Sequence, residues 1–180
     1  MKIRAILGQF RSLFVNKPFS NVKSDNDEYW KHRNFVPTLN SFQKIRADFI
    51  SNNIKENSSV LDIGCGPGHI LLQLIKEKNI SAVGLDNSPL SIGLLSDNGI
   101  KALLSDIDQE SIDNLKNYDF VLMLEVLEHL PNPETILLSC LKKSDFVFIS
   151  VPNTGYFIHR LRLLFGRFPI QWKVHPGEHL

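Results

Sequence analysis

Asp62-Ile63-Gly64-Cys65-Gly66-Pro67-Gly68 sets one acid and three glycines into seven residues, directly after the apolar run Val60–Ile63. Glycine lets a backbone turn tightly and approach a ligand that a Cβ would hold off. The stretch therefore reads as a strand running into a loop able to hold a cofactor. Its spacing narrows the choice. A dinucleotide fingerprint needs G-x-G-x-x-G, but here the third glycine comes one residue early, at Gly68, and His69 takes the expected place. No Lys-Ser/Thr pair follows, so a triphosphate loop fails as well. A purely structural strand-to-helix turn is the alternative reading.

Acidic residues follow the next apolar runs. Asp86, after Ala82–Leu85, can accept both ribose hydroxyls of an adenosine and would repel a 2′-phosphate. Ser88–Pro89 beside it reads as a helix N-cap followed by N1, so Asp86 and Asn87 also have a capping reading. In Ser105-Asp106-Ile107-Asp108, Asp106 can reach an exocyclic adenine amine while Ile107 packs on the ring; an ordinary turn is the alternative. Glu125 stands in Leu122–Leu130, "LMLEVLEHL", and carboxylates lining one pocket suit a ligand that carries a sulfonium cation. If the group being modified is a hydroxyl, a nearby base helps. The candidates are Glu125, Glu128, His129, His159 and His175, with His129 carried forward as the catalytic one. A structural cap or a buried histidine is its alternative reading. Two cysteines, Cys65 and Cys140, make neither a disulfide framework nor a metal cluster, and no metal site is expected.

These residues need elements to position them. Short apolar runs alternate with helical stretches from Ser58 onward. Strands are expected at Val60–Ile63, Ala82–Leu85, Ala102–Leu104, Phe120–Leu124 and Phe146–Val151. Helices are expected at Ile70–Lys78, Pro89–Asp97, Glu110–Leu115 and Glu134–Leu141. Such alternation argues for an α/β fold, a doubly wound and mostly parallel sheet covered on both faces. Ligands of such sheets sit at the carboxyl ends of the strands, which is where the acids and glycines fall. Upstream, Ser41–Asn53 is helical, with Phe42, Ile45, Phe49 and Ile50 on one face. Met1–Val15 carries Ile3, Ile6, Leu7, Phe10, Leu13 and Phe14 at helical spacing, and Lys17–Asn26 reads as a linker. The organisation expected is an N-terminal helix and linker over 1–40 and one domain over 41–180.

The ordered set "VLDIGCGPGH", "GLDNS", "LSDID" and "YDFVLMLEVLEHLPNPETIL" resembles the motifs of class I S-adenosylmethionine methyltransferases. That resemblance implies a Rossmann-like fold and S-adenosylmethionine as cofactor. It also implies methyl transfer (class EC 2.1.1) to a small-molecule or glycan- or lipid-linked acceptor. The implied binding set is Asp62, Gly64, Cys65, Gly66, Gly68, Asp86, Asn87, Asp106, Ile107 and Glu125. In it the glycines line the methionine part, and Asp62 holds the loop or the cofactor's amino group. Downstream, "ISVPNTGYFIHRLRLLFGRFPI", with Arg46-Ala47-Asp48, is similar to the methionine-biosynthesis W family and to methyltransferase-like proteins encoded with surface-polysaccharide genes. "LEVLEHLPNP" departs from the W family and is similar to small-molecule methyltransferases of the ubiquinone-pathway kind. The alternative from the first of these relatives is a catalytically silent partner protein in methionine biosynthesis. Class I methyltransferases resemble one another in having seven strands, and five are recognisable here, so a sheet lacking the last two strands is expected.

Charge is segregated. Residues 1–24 hold five Lys/Arg and no acid, 25–154 hold 11 Lys/Arg against 18 Asp/Glu, and 155–180 hold four against one. The basic ends are amphipathic, and three readings stay open for 1–15 and 155–173: contact with an anionic membrane surface, cover for the acceptor, or burial in the fold or a homodimer. Nucleic acid is a poorer partner, because the basic residues form no dense patch and no nucleic-acid motif occurs. No apolar run approaches the roughly 20 residues that span a bilayer. With no secretory signal and reduced thiols, the expected location is cytoplasmic, with membrane-peripheral contact left open.

Overall fold

A computed structural model describes residues 39–107 and 110–167. The described residues fall into two compact units, 39–151 and 152–167, each taken by itself below.

The first unit opens with α1 (Ser41–Asn53). Asn40 caps it by accepting from the N–H groups of Phe42 and Gln43 at 3.0 and 2.9 Å. The Gln43 side chain returns the favour, accepting from Asn40 N–H at 3.0 Å. This reciprocal box satisfies donors that a helix start otherwise leaves open. The helix buries Ala47, Ile50 and Ser51. Phe42, Ile45 and Phe49 stay exposed, so the expected apolar face is only partly the packed one.

Five strands follow: β1 (Ser59–Ile63), β2 (Ser81–Asp86), β3 (Lys101–Leu104), β4 (Phe120–Leu124) and β5 (Val147–Ser150). All pair in parallel, in the order β3-β2-β1-β4-β5. Parallel neighbours require crossovers, supplied by α2 (His69–Lys78) after β1, α3 (Pro89–Asp97) after β2 and α4 (Pro133–Leu141) after β4. Ser88 caps α3 by accepting from Ser91 N–H at 3.2 Å, with Pro89 in the first turn. The α/β class, the parallel pairing and the positions of these five strands among the described residues match expectation.

Glu110–Leu115 does not form the expected α-helix. Only a single 3-10 turn appears, Ile112–Asn114. Ser111 takes the Asp113 N–H onto its own hydroxyl, and Leu115 N–H closes back on Ile112 at 3.0 Å. Ser, Asp and Asn compete for the backbone in this way and favour caps and turns over helix interiors. Buried Ile112 anchors the turn to the core.

Alternation along the strands builds two apolar layers. Leu61, Ile63, Val83, Leu85, Val121 and Met123 face one side, with Ile107, Ile112 and Cys140. Val60, Phe120 and Leu122 face the other, with Ile50, Leu71, Leu74 and Leu95 from α1, α2 and α3. β1 is buried along nearly its whole length, and β5 is half exposed.

The second unit contains α5 (Phe157–Leu164). Gly166, at φ +65°, ends it: Arg167 N–H reaches Arg162 C=O at 2.8 Å and Gly166 N–H reaches Leu163 C=O at 2.9 Å. That pattern uses the left-handed conformation glycine adopts freely. Ile158, His159 and Arg162 are buried, whereas Leu163, Leu164 and Phe165 are exposed. Met1–Val15, Lys17–Asn26, His175 and the tail beyond Arg167 lie outside the described residues.

Candidate functional site

Strand order reverses between β1 and β4, and the crevice above that switch is where a doubly wound sheet takes its ligand. The glycine loop rises from β1 at this point. Gly64, Gly66 and Gly68 all have left-handed φ, +67°, +52° and +76°. At Gly64 a Cβ would come within 2.5 Å of Val126 Cγ2, and at Gly68 within 2.6 Å of Leu95 Cδ2. Both positions therefore need glycine for conformation and for space. Gly68 starts α2, and no side chain caps that helix end.

Asp86, at the end of β2, braces the loop. One carboxylate oxygen accepts from Gly66 N–H at 2.8 Å and the other from Ser88 N–H at 2.9 Å. Asp86 thus serves two backbone donors, one on the glycine loop and one ahead of α3. Asp62, buried at the end of β1, has its carboxyl pushed up to about 8, first by burial and then by the charge of Asp86. The Cys65 thiol is pushed up as well, by burial and then by Asp62 and Asp86. Its side chain turns to the sheet, because a Cβ on Gly84 would meet Cys65 Sγ at 2.7 Å. Any contact Cys65 makes with a ligand is left to its backbone.

Asn87 is exposed, Asp106 half-buried, and Ile107 buried in the core beneath β1 and β2. The segment after β4 is unusual. Glu125 holds φ +59°, a conformation uncommon for a residue with a side chain. Its carboxylate pairs with Arg46 of α1 at 2.8 Å and accepts from the Ser150 hydroxyl at 3.0 Å. Its N–H donates to Ser150 C=O at 2.9 Å. Arg46 and Glu125 stand 79 positions apart in the chain, so their pairing is visible only in three dimensions. A 3-10 turn, Leu127–His129, follows, with Glu128 half-buried and His129 exposed. The structure brings Asp62, the three glycines, Cys65 and Asp86 into one loop assembly. His159 belongs to the other unit; burial and then Arg162 hold its imidazole below its ordinary value.

A cavity of about 530 Å³ opens at the opposite, amino-terminal end of the sheet, among Lys55, Tyr118, Asp119 and Phe146. It does not involve the loop. Among the described residues no group of three His, Cys, Asp or Glu is placed to hold a metal, and no helix is long and apolar enough to cross a membrane.

The Ubiquinone biosynthesis O-methyltransferase of Aliivibrio fischeri (strain MJ11) is 30% identical over 148 residues, covering 76% of this chain and 62% of that protein. N-methyltransferase 4 of Papaver somniferum is 34% identical over 92 residues, covering 47% of this chain and 26% of its own. The chain thus spans under two thirds of the length of these curated relatives. Among solved structures, coclaurine N-methyltransferase bound to N-methylheliamine and SAH superposes with a TM-score of 0.57 at 22% identity, covering 82% of this chain and 49% of that one. That likeness is one of fold, the Rossmann-like fold of class I methyltransferases. A family model described as methionine biosynthesis protein MetW matches residues 46–176. That span takes in the glycine loop, the acids after β2, β3 and β4, and α5. The chain belongs to the MetW family.

Proposed function

We propose that this chain binds S-adenosylmethionine in the glycine-loop crevice and transfers its methyl group to a small-molecule or glycan- or lipid-linked acceptor. The observation that carries the reading is the cradle itself: three left-handed glycines gripped by Asp86 at the switch point. Side chains at Gly64 or Gly68 would fill it. The donor set fits the group. In this reading Asp86 and Asn87 take the ribose hydroxyls, and Asp106 with Ile107 takes the adenine. Asp62 takes the amino group in the same reading, and Gly64, Cys65, Gly66 and Gly68 offer backbone along the methionine part. Arg46 Nε is buried without a hydrogen bond, which suits it to an amino-acid carboxylate; Glu125 holds that guanidinium in place. Bound there, the cofactor supplies an electrophilic methyl on a sulfonium, and the protein's task is mainly placement. His129 is the candidate base from the sequence.

The methyltransferase names of the relatives support transfer chemistry. The alternative, a catalytically silent partner in methionine biosynthesis, is not favoured beside relatives named as methyltransferases. Membrane contact or a homodimer through the basic ends, and a cytoplasmic location, belong to this proposal as well. Calorimetric titration with S-adenosylhomocysteine tests the core of it. Binding is expected, and Asp86→Ala should weaken it about tenfold or more, the loss of charge-assisted hydrogen bonds. A wild-type protein that takes up no S-adenosylhomocysteine would remove the reading.

A further inference from the structure

α5 exposes the side that a surface helix in water would bury. Its buried residues are Ile158, His159 and Arg162, the arginine only 1% exposed. Phe157, Leu163, Leu164 and Phe165 are all exposed, Leu164 at 76%. Phe157, Arg160 and Leu164 recur at i, i+3 and i+7, so they share one side of the helix. Arg160, exposed as well, thus stands among apolar side chains. A surface helix ordinarily turns its apolar stripe inward and its charges outward. An apolar side left outward marks a contact with something else.

Charge indicates the partner. Residues 152–167 carry Arg160, Arg162 and Arg167 and no acid, and 155–180 hold four Lys/Arg against one acid. A second copy is a poor match, because a two-fold contact sets a patch against itself and would bring these like charges together. Nucleic acid is a poor match too, since the exposed side is mostly apolar. An anionic bilayer accepts both kinds of group at once. Its acyl boundary takes Phe and Leu side chains, and its headgroups take a guanidinium carried out on a long stem. We propose that α5 lies in the surface of an anionic membrane, with Phe157, Leu164 and Phe165 inserted and Arg160 at the headgroups. This gives the membrane contact of the proposed function one helix and one mode of attachment, and it stands or falls apart from the cofactor.

Flotation of the full chain with lipid vesicles tests it. The wild type is expected to float with phosphatidylcholine vesicles that contain phosphatidylglycerol, scarcely with phosphatidylcholine alone, and to let go as salt is raised. Leu164→Ser combined with Phe165→Ser should weaken that binding about tenfold or more, because two apolar side chains lose their place at the acyl boundary. Arg160→Gln should weaken it about fivefold, the worth of one basic residue at an anionic surface. These positions are exposed, so circular dichroism and S-adenosylhomocysteine affinity should match the wild type in each variant. Vesicle binding that survives the serine pair undiminished overturns the inference. So does equal binding to the neutral vesicles, or no vesicle binding at all. A wild-type dimer that ignores vesicles and that the serine pair dissociates overturns it in favour of a second copy. Should the serine pair not fold, Arg160→Gln and the two lipid compositions still decide. The cofactor reading survives each of these failures, since the calorimetric titration decides it separately.

Discussion

Asp62 and Asp86 end neighbouring strands, and their proximity gives the crevice a measurable signature. The folded chain holds the Asp62 carboxyl at about 8, against 3.8 for the same group in water. Between these values the unfolded chain has released a proton that the folded chain keeps, so stability must fall as pH rises through that window. The thermal midpoint of the ligand-free protein is expected to decline from about pH 5 to about pH 8, and Asp62→Asn, which cannot ionise, should flatten the slope attributable to this residue. Scanning calorimetry across that range checks it. Arg46 makes a second residue-scale case. Arg46→Met leaves the Glu125 carboxylate, at the strained φ of +59°, without its cation. The pair is partly exposed, so a loss of about 1–2 kcal/mol is expected, between exposed and buried ion pairs. Urea denaturation would measure it. The acids and the glycines were legible in the sequence because their order and spacing are chemical facts of the chain. The pairing of Arg46 with Glu125 was not, because what marks it is a partnership across 79 positions of chain.

At the scale of elements, the turn from β1 into α2 depends on β2 as much as on its own glycines. Gly84 leaves the space that Cys65 Sγ and Leu95 occupy, at 2.7 and 3.2 Å from where a Cβ would stand. Gly84→Ala should destabilise by about 1–3 kcal/mol through overpacking. Cys65→Ala in the same chain should recover part of that loss, with Leu95 accounting for the remainder. A double-mutant cycle read by chemical denaturation would show a coupling well above zero. Strands and long helices were foreseeable from periodicity. Pro89–Asp97 and Phe120–Leu124 coincide with expectation to the residue. Glu110–Leu115 shows the opposite case, where side-chain oxygens of Ser and Asp claimed backbone donors and cut a helix to one turn.

For the whole molecule, stability is graded across the sheet. β1 and β4 lie between the two apolar layers, whereas β3 and β5 are the edges of the sheet among the described residues, with partly exposed side chains. Native-state hydrogen exchange should therefore show the slowest amides in β1 and β4 and faster, locally opening ones in β3 and β5. Protection highest in β5 would contradict this grading. Alternating apolar runs are enough to dictate a parallel sheet, since buried strands need β-rich apolar segments and parallel pairing needs crossovers. The sequence by itself therefore determined the fold class, the five strands, and the glycines and acids at their carboxyl ends. Only the tertiary structure decided which of these groups share a crevice. It turned Cys65 into the sheet, set Asp86 to grip Gly66, and drew Arg46 to Glu125. It also left the Glu128 carboxylate buried without a hydrogen bond. The physical reason is that hydrogen bonding, desolvation and close packing depend on distances between residues far apart in the chain, which spacing along the chain does not contain.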